Sequence, residues 1–439
     1  MDALEPSAPT EPPPSTVSTS RRRFLAGAGL GGAAVVVSGG LLWRRVDPAS
    51  SPSSTAALPG PVEALGIAPA DTILVVVQLS GGNDALNMLV PGDGRYLDAR
   101  PTLGVPEAQR LALAGTTAYA AHPALAPLVS WWDQGRLGAV AGAGFADQSR
   151  SHFDALDTWW SAGDGRGDAA GWLGRWLDLT VDHDPDNPLR AIALGSGSPA
   201  LAGTRSSHTV VTSIDSFALD ERTGLTASAL AGVRAAMSEP GAADPPLLAA
   251  ARRSIPATLA AVDRLSAVSA SGGEVPDAAD TPGGSITTLL DTAADILALD
   301  LGTRIVQVSV SGFDTHAAQA IVHPQLLDDL AGGLDRFLGA MADQGKADRV
   351  LVITVSEFGR RVAENGAGTD HGKASTLLVA GASVVGGQVH GEVDLAALED
   401  GDVPIAVDTR SVYANALDFL GGGADEVLGA PYDRLGILA

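Results

Sequence analysis

There is no cysteine in the 439 residues of this chain. That excludes disulfides, Cys–zinc sites, a cysteine nucleophile and any formylglycine made from Cys. Lysine is nearly missing too: Lys346 and Lys373 are the only two. Basic charge is scarce altogether, with Lys+Arg 28 against Asp+Glu 51 and a formal net charge of −23 at pH 7. Without residues 1–45, which hold five Arg and three acids, 23 basic residues face 48 acidic ones. A body this acidic repels nucleic acid through its overall field, so no nucleic-acid partner is expected, while a local basic pocket stays compatible with it. Aromatics are only 4% of the chain, so Ala, Val and Leu must fill the core.

What is present is 45% apolar residues with 53 Gly and 27 Pro, the composition of a globular chain with many loops. The length exceeds what one small core needs, and a single large α/β domain accommodates it. Residues 1–19 are rich in Pro, Ser and Thr and read as a disordered extension. Ser20-Arg-Arg-Arg-Phe-Leu-Ala26 follows, then a Gly/Ala/Val-rich apolar run to Trp43. Arg21, Arg22, Phe24 and Leu25 stand as in a twin-arginine export signal, so residues 1–45 are assigned to that signal and its extension. The translocase of that route is an expected partner, and the periplasm, the cell surface or the exterior the expected location. The apolar run is nearly long enough to span a bilayer, and the small-residue cleavage candidates lie near Thr55-Ala-Ala57. Cleavage and retention as a membrane tether both fit. Residues 46–69 read as a linker, and residues 70–439 as the single folded domain.

Within that domain, Val350-Leu-Val-Ile-Thr-Val355 is a continuous β-branched and apolar run, as in a strand buried on both faces of a parallel sheet. Ser356, Glu357, Gly359, Arg360 and Arg361 come directly after it, and Gly368-Thr-Asp-His-Gly-Lys373 soon after. In open α/β sheets ligands sit outside the carboxyl ends of the strands. Glu357 with Asp370 and His371 therefore suggests a metal or phosphate site, the plainer alternative being a Glu–Arg ion pair beside a polar turn. The same pattern recurs. Thr72-Ile-Leu-Val-Val-Val-Gln78 runs into Leu79-Ser-Gly-Gly-Asn-Asp84, presenting Asp84 as a ligand or as an Asx-turn cap. Arg304-Ile-Val-Gln-Val-Ser-Val310 ends in Ser311-Gly-Phe-Asp-Thr-His316, where Asp314 and His316 point the same way from an extended segment. His390 follows in a Gly-rich loop, Gly386-Gly-Gln-Val-His-Gly391.

Leu137-Gly-Ala-Val-Ala141 reads as a short strand, and Ser149-Arg-Ser-His152 opens the helix behind it. A helix N-terminus holds anions, so Ser149, Arg150, Ser151 and His152 suit an anionic group or a nucleophile, while capping is the commoner work of such a serine. His122–Trp132 reads as a helix with His122 as a polar start residue. Residues 93–120 read as a surface segment whose Arg95, Tyr96 and Arg100 could face the site. His323 is expected to begin a helix Pro324–Met341 in a structural role. About 215–285 is expected to be a helical insertion without chemistry. Carboxylates and imidazoles spread over several strand ends suit one or two divalent ions such as Zn²⁺, Mn²⁺ or Ca²⁺.

Taken together, Ser80-Gly-Gly-Asn-Asp84, Ser151-His152, Gly312-Phe-Asp-Thr-His316, Ser356-Glu-Phe-Gly-Arg360 and Asp370-His-Gly-Lys373, behind a twin-arginine signal, resemble the bacterial "domain of unknown function 1501" family over roughly residues 70–425. The resemblance implies an alkaline phosphatase-like α/β fold: a central, largely parallel sheet with helices on both faces. It also implies roles. Asp84 would match a first-strand metal ligand, Ser151 or Ser149 a nucleophile, Asp314 and His316 a metal pair, and Asp370-His371 or His390 the late ligands. Glu357-Phe358 departs from the Asp-His that the superfamily usually carries after this strand, and Asp314 and His316 are two residues apart where the phosphatases usually have four.

Two functions follow as expectations. One is an exported metal-dependent hydrolase of phosphate or sulfate esters, acting on a small-molecule or polysaccharide ester. In it Ser151 attacks and Arg150 or Lys373 neutralises the substrate. The other is a catalytically degenerate relative that binds carbohydrate or the cell envelope.

Overall fold

In a computed structural model of the chain, residues 71–163, 170–184, 187–206, 208–211 and 285–439 are described, apart from isolated positions between 212 and 284. The expected export signal, the linker and nearly all of the expected helical insertion lie outside the described residues. Nine strands make the main sheet: β1 (Ile73–Leu79), β2 (Leu137–Gly144), β3 (Ala191–Leu194), β4 (Thr209–Val211), β5 (Ile305–Val310), β6 (Val350–Val355), β7 (Ser375–Gly381), β8 (Val389–Gly391) and β9 (Val407–Asp408). Their order is β8-β2-β7-β6-β1-β5-β3-β4, with β9 pairing β2 beyond β8. β1 is central, in parallel register with β5 (Leu74 opposite Ile305) and with β6 (Ile73 opposite Val350). Only β7 is antiparallel to its neighbours, β2 and β6. All other strands therefore end on one edge of the sheet, and β7 begins there.

The continuous apolar runs are explained by two cores, one on each face. Ile73, Val75 and Val77 of β1 pack with Leu290 and Ala293 of α3 (Ile286–Ala298) and with Leu327, Leu330 and Leu334 of α4 (Gln319–Asp343). The alternate residues Leu74 and Val76 pack on the other face with Trp159 of α1 (His152–Ser161), Trp172 and Trp176 of α2 (Trp172–Leu179) and Val412 of α5 (Thr409–Phe419). A strand loaded on both faces cannot show the apolar–polar alternation of a half-buried one. Each buried aliphatic side chain contributes about 1.5–3 kcal/mol relative to exposure. The scarce aromatics cluster: Trp172 and Tyr413 stack at 4.3 Å between ring centroids.

Several boundaries differ from the expectations. α4 starts at Gln319, so Pro324 and His323 lie inside it; Pro324 is its sixth residue, and its missing N–H deprives the Ala320 carbonyl of the usual i→i−4 hydrogen bond. The segment after His122 is a 3₁₀ turn, Pro123–Leu128, before a short helix Val129–Asp133, and the His122 Nδ1 accepts from the N–H of Ala124. β2 extends to Gly144. Tyr96 and Arg100, expected on a surface segment, are fully buried. Among the described residues no helix is long and apolar enough to cross a membrane.

Candidate metal centre

The turn after β1 is built to approach other backbone closely. Gly81 has φ +122°, and a Cβ there would lie 2.2 Å from the backbone N of Asp314. Gly82 has φ +81°, and a Cβ there would meet the Phe358 ring. The turn is held by the β6 end: Gly81 N–H donates to Oε1 of Glu357 at 2.8 Å and Asn83 N–H to the Ser356 hydroxyl at 2.8 Å. The buried Arg360 guanidinium lies beneath, donating to the carbonyls of Gly82 (2.6 Å), Thr369 (2.8 Å), Phe313 (3.0 Å) and Gly81. One of its N–H groups also donates to Oδ1 of Asp314 at 2.6 Å. Four segments far apart in sequence are thereby fixed around one carboxylate.

Three imidazoles face that carboxylate. Nε2 of His371 lies 3.0 Å and Nε2 of His316 lies 3.1 Å from Oδ1 of Asp314, while Nε2 of His152 lies 3.4 Å from Oδ2. The other nitrogen of each ring has an acceptor behind it. Nδ1 of His152 is 2.9 Å from Oε1 of Glu357, Nδ1 of His371 is 2.8 Å from the carbonyl of Arg150, and Nδ1 of His316 is 3.4 Å from Oδ1 of Asp370. A carbonyl or carboxylate only accepts, so with a metal ion at the centre each Nδ1 would keep the proton and each Nε2 would present a lone pair; without one, the contact of His371 Nε2 with Oδ1 of Asp314 is a hydrogen bond from the ring. A ligating imidazole is normally backed in this way. Ligand atoms of His152, Asp314 and His371 all lie within 4.8 Å of one another, and the three form a group able to hold a metal ion. Partial burial raises the Asp314 carboxyl, but the hydrogen bonds from Arg360 and His371 outweigh it and bring its pKa down to about 2. The group is thus an anion at any ordinary pH, as a ligand must be.

The structure places the other expected residues as follows. Asp84 is fully buried away from this group: it pairs with Arg100 at 2.6 Å, accepts from the Gln319 side-chain amide, and caps the N–H of Asn87. Burial raises its carboxyl, and Arg100 followed by His323 more than reverses this, so it stays below the ordinary carboxylate range. Glu357 and Asp370 face the Nδ1 side of their histidines rather than the converging Nε2 atoms. His390 sits on β8 opposite Val140 of β2 and hydrogen-bonds the backbone of Val385. Arg150 is bound to the buried Asp402, and Lys373 to Glu399 at 3.3 Å. Ser151 occupies the N-cap of α1 but makes no capping hydrogen bond with its side chain. Phe358, where an imidazole is expected by resemblance, is a buried platform with its ring centroid 5.0 Å from His152 and 4.4 Å from His371.

Two members of the centre were not singled out as such in the sequence. His152 was grouped with an anion site because it follows Ser151 at a helix start. Arg360 enters the sequence reading only through the plainer alternative, a Glu–Arg ion pair at the strand end, whereas its carboxylate partner is Asp314, 46 residues away.

Residues 111–435 match a family model described as "Protein of unknown function (DUF1501)". The chain belongs to this family. The DUF1501 match takes in His152, Asp314, His316, Glu357, Asp370 and His371 and begins after the Ser80–Asp84 turn. No curated protein matches the sequence. Among solved structures, a protein of the alkaline phosphatase superfamily from Vibrio parahaemolyticus is similar over 85% of this chain and 73% of that one, with 8% identity and a TM-score of 0.41. The soluble domain of a lipooligosaccharide phosphoethanolamine transferase from Neisseria meningitidis is similar over 84% of this chain and 94% of that one, with 12% identity and a TM-score of 0.38. A sulfatase from Pseudoalteromonas sp. is similar over 84% and 74%, with 11% identity and a TM-score of 0.36.

Proposed function

We propose that the chain is an exported, metal-dependent hydrolase of phosphate or sulfate esters, with a divalent ion held by His152, Asp314 and His371 and approached by His316. The observation that carries this reading is the convergence of three Nε2 atoms on the Asp314 carboxylate, each ring with an acceptor behind its Nδ1. Three nitrogens and a carboxylate suit Zn²⁺ or Mn²⁺ better than Ca²⁺, which takes six to eight oxygens. The ligand side chains are partly open, with Asp314 at 45% and His316 at 42% exposure. Catalytic sites keep such an open position, whereas structural ones are closed. A divalent ion bound there polarises an ester oxygen and eases deprotonation of a neighbouring hydroxyl.

Ser151 is the proposed nucleophile. It directly precedes His152, is exposed, and leaves the capping position of its hydroxyl unused. Its oxygen would form the bond to phosphorus or sulfur as the ester oxygen departs with a proton, and water would then release the acid and restore the serine. The free N–H groups at the start of α1, with Arg150 and with Lys373 once it leaves Glu399, are the proposed carriers of the substrate's negative charge. Export rests on Arg21, Arg22, Phe24 and Leu25. An uncut signal would tether the chain to the membrane.

The test is metal analysis of the full chain followed by a panel of phosphomonoester, phosphodiester and sulfate ester substrates with Ser151→Ala as control. Metal-dependent turnover lost in that variant supports the reading; turnover unchanged in it removes Ser151 as nucleophile. A second reading, a degenerate relative that binds carbohydrate or envelope, is favoured by one observation. Asp84 is spent on Arg100, so the first strand gives the centre no ligand. Metal binding and glycan binding with no turnover across the panel would support that second reading.

A further inference from the structure

A single oxygen of Glu357 carries two unrelated contacts. Oε1 accepts from the N–H of Gly81, in the turn after β1, and from Nδ1 of His152, the first residue of α1. The carboxylate is 97% shielded, with 3% of the residue exposed, and its second oxygen, Oε2, is buried with no hydrogen-bond partner. A buried carboxylate that leaves one oxygen unsatisfied is costly to keep. A neutral or apolar residue that only propped the Gly81 turn would be cheaper. The second contact gives a reason for the cost. An acceptor at Nδ1 fixes which nitrogen of His152 is protonated and which way the ring turns, so that Nε2 faces Asp314. The other imidazoles are backed by weaker or more adaptable groups: His316 by the exposed Asp370 at 3.4 Å and His371 by a backbone carbonyl that no substitution removes.

We infer that Glu357 is the positioning residue of the metal centre, acting through His152 and not as a ligand itself. The inference rests on the metal-binding reading above. It assigns to the first residue after Ser356 a control over metal affinity, and it links that control to the turn after β1. If the Gly81 turn shifts, Oε1 loses one donor and the His152 ring loses its reference point.

The experiment measures Zn²⁺ affinity by competition with a chromogenic chelator in the full-length protein, for wild type, Glu357→Gln, His152→Ala and the double variant. Glutamine keeps an acceptor for Gly81, and far-UV circular dichroism checks the fold. The expected result is a roughly 10–100-fold weaker Zn²⁺ affinity in Glu357→Gln with the stoichiometry kept. In the His152→Ala background the same substitution should add little, because the residue through which it acts has gone. An unchanged affinity in Glu357→Gln, or additive losses in the double variant, would overturn the assignment while leaving the metal centre standing. A wild type that binds no Zn²⁺ would overturn both. Should Glu357→Gln fail to fold, imidazole ¹⁵N spectra of the Zn²⁺-loaded wild type decide instead. His152 metal-bound through Nε2 with a proton on Nδ1 supports the assignment, and ligation through Nδ1 refutes it.

Discussion

Nε2 of His316 lies 2.8 Å from Nε2 of His371, and both point at the same oxygen of Asp314. Each ring has an acceptor behind its Nδ1, so two ring nitrogens crowd one carboxylate oxygen from the front. A cation shared by the two nitrogens and the carboxylate would engage all three at once. Removing either imidazole should therefore act on cation binding far more than on folding. His371→Ala is expected to lower Zn²⁺ affinity by at least about 100-fold, beyond the loss typical of an outer-shell substitution. Its metal-free stability should change little because the side chain is partly exposed. Chelator competition and urea melts of the metal-free chain measure the two effects separately.

Asp84 offers the opposite case. Its carboxylate and the Arg100 guanidinium are both wholly buried and 2.6 Å apart. Breaking such a pair from one side leaves an unpaired buried charge and costs about 3–5 kcal/mol. Arg100→Leu should destabilise by that order in urea denaturation. Asp84→Asn should also destabilise while leaving the Zn²⁺ affinity within a few-fold of wild type. A large loss of affinity in Asp84→Asn, with stability intact, would make it a ligand.

The turn after β1 sets the position of the Asp314 loop. Gly81→Ala would place a methyl 2.2 Å from the Asp314 backbone in a conformation, φ +122°, that a side chain rarely adopts. A stability loss above about 1 kcal/mol is expected, together with weaker metal binding as Asp314 is pushed aside. Thermal melts with and without Zn²⁺ should show a smaller metal-induced rise in Tm than in wild type.

How much of this was visible in the sequence depends on where each partner lies. β1 and β6 were legible because strands loaded on both faces read as unbroken apolar runs. Asp314, His316 and His371 were legible because polar groups at strand ends collect on one edge when the strands are parallel. The reach of His371 to that edge depends on β7 running antiparallel, a pairing choice that no local pattern records. Asp84 looked equivalent to Asp314, since each is an acid at a strand end; what separates them is Arg100, which lies in a segment that read as surface. His390 sits between glycines as His371 does, but in the structure it belongs to an edge strand. Phe358 read as a lost imidazole and proves to be a surface on which two imidazoles rest.

Acid should weaken the fold through His323. Burial holds its pKa at about 4, below the usual 6.5, while Asp84 pulls the other way. Its ring meets Asn83 through Nε2, and its Nδ1 is buried without a partner. The native state favours the neutral ring, so below pH 6.5 the unfolded chain binds the extra proton. Stability is fully present above 6.5 and falls as the pH drops towards 4, by up to about 3 kcal/mol for this group. Urea melts of wild type and His323→Gln between pH 7 and pH 4.5 should show a shallower decline in the variant.

The central claim is that His152, Asp314 and His371 bind a divalent ion, and the most direct measurement is elemental analysis. Full-length wild type and the Asp314→Ala and His371→Ala variants would be loaded with Zn²⁺, dialysed, and measured for metal per chain. The account predicts about one tightly held ion in the wild type, as for a mononuclear site, and little in either variant. A wild type that retains no more metal than the variants would contradict it.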